Sequence, residues 1–217
     1  MSAGNPYPHR YKDKRVYKLE DGEFEKYYEV AKGLQSKVNV PALLSIVHYT
    51  GLRISEVCGD TPHKYVLPSC KRHSEPLHKE TEALHGLRKM DLSIEGDLIM
   101  VDVKEVRKHG KREEPVWIPV NKLGADEIVN AWKLTVNPND RIFPCTKWLG
   151  WYLVSKVTEG KLYPHYFRLN RATSFASDER VSLFDMMKWF AWSDPRTCQH
   201  YLGTAGRTTK PMAERMK

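Results

Sequence analysis

Cysteine is scarce in this 217-residue chain, and Cys58, Cys70, Cys145 and Cys198 lack the paired spacing of a disulfide framework, so free thiols are expected. Long apolar runs are missing as well. The nearest approach to one, Val40 to Val47, falls far short of the roughly 20 residues a membrane helix needs. The opening Met-Ser-Ala-Gly-Asn-Pro has no apolar signal core. These absences predict an intracellular protein with no membrane partner. Internal repeats at solenoid periods are absent too. A hydrophobic fraction of 41%, a charged fraction of 29% and six Trp exclude a disordered or low-complexity chain. A chain of this length buries roughly 70% of its unfolded surface, enough for one domain without covalent staples.

Positive charge is what the chain has in excess, with 35 Lys and Arg against 27 Asp and Glu, a formal net charge of +8. Such a balance points to an acidic partner, and without a lipid-anchor motif nucleic acid is favoured. Residues 1–16 hold Arg10, Lys12, Lys14 and Arg15 against Asp13 and read as a basic flexible arm. The tail over 206–217, with Arg207, Lys210, Arg215 and Lys217, reads the same way, its plain alternative being a frayed terminus.

Between the tails the pattern is mainly helical. Phe24, Tyr27, Val30, Ala31 and Leu34 recur at helical spacing. Asn39 is placed to cap a second helix with Pro41 in its first turn, interrupted at Thr50-Gly51. Arg53 then opens a short helix, with Glu56 one turn on. The His-, Lys- and Pro-rich stretch over 59–90 reads as a surface insertion. Leu98 to Val103 and Val116 to Val120 are aliphatic and β-branched, which predicts an antiparallel hairpin with the basic Lys108-His109-Gly110-Lys111 at its tip. Leu123 to Leu134, Trp148 to Val157 and Tyr166 to Ala176 read as helices. Ser182 and Asp185 suit a capping box over Leu183 to Phe190, and Pro195 starts a last helix that Gly203 is placed to end.

Each candidate functional residue has an ordinary structural reading when taken alone. Arg53 could be a solvated helix arginine, His165 a surface histidine, Arg168 a salt-bridge partner, Trp192 a core aromatic and Tyr201 an interface tyrosine. Their order and local strings alter that. Thr50-Gly51-Leu52-Arg53-Ile54-Ser55-Glu56 and His165-Tyr166-Phe167-Arg168-Leu169-Asn170-Arg171-Ala172-Thr173 are followed by Trp192, nine residues ahead of Tyr201. In this order they resemble the motifs of the tyrosine recombinases, the phage-integrase family, over about residues 17 to 205. The string Phe-Arg-Leu-Asn-Arg-Ala-Thr and the ending Tyr201-Leu202-Gly203 look more like integrases of archaea or their viruses, which would place the chain on a mobile element.

The resemblance implies an α+β, mainly helical catalytic domain with a small antiparallel β-sheet. It implies DNA cleavage and rejoining through a 3′-phosphotyrosyl link, for integration or excision, with neither a metal nor another cofactor. Double-stranded DNA would be the partner, and a homo-tetramer would form on it. Arg53 and Arg168 would hold the phosphate oxygens, Trp192 would donate an indole N–H, His165 would take the proton, and Tyr201 would be the nucleophile. A hairpin lysine would protonate the leaving 5′ oxygen. Counting from the first strand favours Lys104 and counting from the second favours Lys111; Lys108 lies between and is chosen, leaving Lys104, Lys111 and Arg171 as DNA contacts. A relaxing topoisomerase or telomere-resolving enzyme would share this chemistry, and a non-catalytic DNA-binding module is the alternative of another class. Family members normally carry an upstream helical DNA-clamping domain, so the chain is expected to be a fragment or to use its arm instead. Leu169 and Asn170 depart from the family's His-Ser, and Ala191 departs from its Gly. Cys70-x-x-His73 in the insertion has the spacing of metal ligands, with a solvated loop preferred.

Overall fold

A computed structural model describes residues 18–61, 64–67, 77–80, 83–106 and 110–204; the basic arm, the basic tail, Lys108, Cys70 and His73 lie outside them. Helix α1 (Glu23–Lys32) buries Phe24, Tyr27, Tyr28 and Ala31 on one stripe. Helix α2 (Val40–Thr50) starts where the Asn39 side chain accepts the Ala42 N–H at 3.0 Å, with Pro41 in the first turn. Because α2 is apolar nearly all round, it lies inside, packed by α1, α4 (Ala125–Leu134) and α6 (Pro164–Ser177). Gly51 ends it at φ 64, where a Cβ would meet the Phe190 ring at 2.9 Å, so no other residue fits this corner without displacing that ring. Helix α3 (Ile54–Cys58) follows.

The 59–90 stretch contains an antiparallel pair, β1 (Lys64–Leu67) and β2 (Leu77–Glu80). Near its ends it is partly buried. Leu87 is fully buried, Asp60 pairs by backbone with Leu84, and the Asp60 carboxylate takes Lys147 Nζ at 2.7 Å.

The expected hairpin is present as β4 (Leu98–Val101) against β7 (Val116–Pro119), with Leu98 opposite Pro119. A third strand, β3 (Leu92–Glu95), joins the other side of β4 and makes the sheet order β3-β4-β7. Toward the tip, β5 (Glu105–Val106) pairs with β6 (Gly110–Lys111). The later helices are α5 (Lys147–Val157), α7 (Leu183–Phe190) and α8 (Pro195–Thr204). Ser182 and Asp185 cap α7 reciprocally, at 3.1 and 2.8 Å. Gly203 lies within α8 rather than after it, a placement that costs only about 1 kcal/mol against alanine. The protein is therefore an α+β, mainly helical fold with a small antiparallel sheet.

Two apolar clusters form the interior. The larger joins α1 to α5, the sheet and Phe167 of α6; the smaller holds Ala172, Ala176, Met186, Phe190, Trp192, Cys198 and Tyr201. Trp189 packs against both. Cys58, Cys145 and Cys198 are buried free thiols. Among the described residues no helix is long and apolar enough to cross a membrane, and no group of three or more His, Cys, Asp or Glu could hold a metal.

Candidate functional site

The seam between the two clusters is polar, and it is built around the C-terminus of α7. A helix leaves its last carbonyls without internal partners, and cations are favoured there. Here Trp189 O accepts from Arg112 Nη1, and Phe190 O accepts from Arg168 Nη2 at 2.8 Å. The Thr50-Gly51 corner completes the arrangement: Gly51 O accepts from Arg168 Nη1 at 2.9 Å and Thr50 O from the Trp189 indole N–H at 2.8 Å.

Arg168 is thus held by two carbonyls from opposite sides of the seam, and only 2% of its surface is exposed. Its guanidinium lies 5.0 Å from the Phe190 ring centre and 5.5 Å from that of Trp192. Burial first, then repulsion by Arg53, draws its pKa down to about 9, which leaves it charged at neutral pH. Arg53 sits in extended backbone just before α3, with its Nη1 on Glu56 Oε1 at 2.7 Å and its N–H on the other carboxylate oxygen at 2.8 Å. Glu56 is buried, and the fields of Arg53, Arg112 and Arg168 all meet on this single carboxylate. The result is a locus with more guanidinium than carboxylate charge, suited to a doubly coordinated anionic oxygen.

His165 lies in the first turn of α6. Although part of its surface is exposed, desolvation and then the neighbouring Arg168 and Arg53 lower its pKa to about 4, so it is neutral at pH 7. Trp192 and Tyr201 are each 8% exposed. Their rings stack at 5.3 Å with an interplanar angle of 7°, and Trp192 stacks on Phe190 on its other side at 4.5 Å. Tyr201 also contributes to the electrostatic environment of Arg168. Arg53, His165, Arg168, Trp192 and Tyr201 are thereby brought to one place from three regions of the sequence.

The hairpin residues are less closely involved. Lys104 is exposed and forms an ion pair with Asp102. The Lys111 backbone lies in β6 opposite Glu105. Arg171, expected to contact DNA, is half-buried: its guanidinium donates to His48 O at 3.3 and 3.4 Å and lies 5.7 Å from the ring centres of both Tyr49 and Phe175. The carbonyl at α2's last turn and the two aromatic rings hold it there. Arg112 was not signalled by the sequence, where it is one basic residue among several. It is 3% exposed, and its Nε and Nη2 are buried without acceptors.

No protein-family model matches the sequence, and no curated protein matches it. Solved structures do. XerA recombinase superposes with a TM-score of 0.56 at 15% identity, covering 90% of this chain and 61% of that one. XerH site-specific recombinase bound to difH substrate, in a pre-cleavage complex, gives a TM-score of 0.54 at 15% identity, over 85% of this chain and 49% of that one. A post-cleavage complex of XerH with palindromic difH gives 0.57 at 15% identity, over 94% and 54%. The chain spans about half to three fifths of these recombinases. The stacked tyrosine, the paired arginines and the small sheet are accordingly carried on the fold of a tyrosine recombinase catalytic domain.

Proposed function

We propose that this chain cuts and rejoins duplex DNA through a 3′-phosphotyrosyl intermediate, as a site-specific recombinase. The observation that carries the reading is the stack of Tyr201 on Trp192 beside Arg168, in the same charge cluster as Arg53 and His165. Attack by the Tyr201 oxygen forms an O–P bond and breaks the bond to the 5′ oxygen. Negative charge then grows on the phosphate oxygens, where Arg53 and Arg168, both charged at neutral pH, offer cations. The tyrosine proton passes to His165, which is neutral and so can accept it. A bound phosphodiester opposes the arginines that lower the His165 pKa and makes it a better base than in the free protein.

The leaving 5′ oxygen takes a proton from a hairpin lysine: Lys108, with Lys104 and Lys111 as the neighbouring candidates. Reversal by an incoming 5′-hydroxyl reseals DNA without a nucleotide, because the phosphotyrosine conserves the bond energy. Exchange between two duplexes requires four such sites, hence a tetramer on DNA, and integration or excision of a mobile element is the setting that fits. The test is an SDS-resistant adduct assay on fragmented DNA from the source replicon and its host, comparing wild type with Tyr201→Phe and sequencing what is trapped. Adducts with wild type alone support the reading. DNA binding by both proteins with no adduct from either replaces it with a binding-only module.

A further inference from the structure

We propose that Arg112 is a positioning residue that seats the lysine-bearing hairpin on the tyrosine half of the site, and that it governs cleavage through departure of the 5′ oxygen. This rests on the DNA-cleaving function proposed above.

Arg112 joins three pieces. Its backbone N–H donates to Lys104 O at 3.0 Å, closing the base of the hairpin between the segment before β5 and the segment after β6. Its side chain reaches Trp189 O at the end of α7, and α7 leads directly to Trp192. One other described tie links this limb of the hairpin to α7, the ion pair of Glu114 with Lys188 at 2.6 Å, both about half exposed. An exposed pair of that kind contributes less than about 1 kcal/mol and is screened by salt, so it cannot fix the hairpin alone. The buried guanidinium is the tie that sets the distance.

Its own energetics favour the same role. A buried cation with Nε and Nη2 idle costs desolvation that a methionine of similar length would not. The residue contributes geometry, not net stability. It is also too deeply buried to touch DNA: at 3% exposure, with those two nitrogens covered, it acts only through its neighbours. Those neighbours are Trp189 on one side and the Lys104 limb on the other, with Glu56, Arg53 and Asp102 in its field. The hairpin is the limb that a flexible substitute would release, since α7 stays fixed by Arg168 and by the Trp189 indole.

The test uses the duplex recovered from the adduct assay, synthesised with either the natural 5′ oxygen or a bridging sulfur at the scissile phosphate. A thiolate departs without a proton, so the sulfur duplex bypasses the lysine. Single-turnover cleavage is measured for wild type, Arg112→Met and Arg112→Lys, with thermal melting as a check on folding. Arg112→Met is expected to cleave the oxygen duplex about 100-fold more slowly, the usual scale of a lost general acid, and the sulfur duplex at close to the wild-type rate. Arg112→Lys, which can still reach Trp189 O, falls between the two. Wild-type rates for Arg112→Met on both duplexes overturn the proposal, as does equal slowing on both. Failure of the wild type to cleave either duplex overturns the underlying reading instead, and the two failures are told apart by the wild-type lane alone.

Discussion

Replacing Arg168 by lysine keeps the charge and removes the fork, which separates the two jobs the structure gives this side chain. The guanidinium bonds Gly51 O at 2.9 Å and Phe190 O at 2.8 Å, on opposite sides of the seam. A single ammonium at the end of a flexible stem satisfies one of them. One charged hydrogen bond is lost, about 1.5–3 kcal/mol, and the carbonyl left behind is buried and unsatisfied. The planar contact with Phe190 and Trp192 is replaced by a point charge, a smaller change. The sum is about 2–4 kcal/mol. In a chain of this size 1 kcal/mol moves the melting temperature by about 2–4 °C, so Arg168→Lys should melt roughly 5–15 °C below wild type without any DNA present. Calorimetry on the free protein measures it. Adduct formation should fall by at least about 100-fold in parallel, because a lysine cannot contact two phosphate oxygens in the plane that the guanidinium occupies. A variant that melts within about a degree of wild type would refute the claim that this arginine holds the Thr50-Gly51 corner to α7.

Two further outcomes are expected. Ala191 caps α7 in the left-handed region at φ 49, where a side chain is strained, so Ala191→Gly should raise stability by about 0.5–1 kcal/mol in chemical denaturation; a loss would show that its methyl contributes more than its backbone costs. His48, with its ring stacked on Phe24 at 3.8 Å and its Nδ1 unpartnered, has a pKa lowered to about 3 by burial and then by Arg171, and that of His165 is lowered to about 4. The unfolded chain takes up these protons near the ordinary value of 6.5 and the folded chain resists them, so stability is complete above about 6.5 and falls as pH drops towards 4 and then 3. Melting curves between pH 7 and 4 should show that decline, with a shallower slope for His48→Gln; equal slopes would mean that His48 is not a source of it.

The elements that the sequence announced clearly were those with local signals. Asn39 ahead of Pro41 and Ser182 ahead of Asp185 are caps, readable because capping depends only on residues within one turn. The site motifs were readable because each is a short string around one side chain. Strand β3 was not read. It is four residues long, and its place in the sheet is decided by the tight turn at Gly96 and by β4, not by its own alternation. Burial of the insertion's ends depends on Lys147 and Arg141, more than fifty residues away. Arg112 and Arg171 show the same limit from opposite directions. Nothing local to either residue names its partner, yet each guanidinium donates to a carbonyl near the end of a distant helix. A helix terminus advertises its need for a donor, but only the folded chain shows which donor answers.

The ties at the end of α7 have a consequence for the order in which this protein matures. They join residues 117, 139, 77 and 22 positions apart. Contacts that distant form late, since the entropy of closing the intervening chain must be lost before they return anything. The sheet and the α1–α2 pair can fold from nearby residues, whereas Arg53, Arg168 and Arg112 remain unassembled until α7 has emerged from the ribosome and docked. A nascent chain, or one stalled partway through folding, therefore holds its arginines apart.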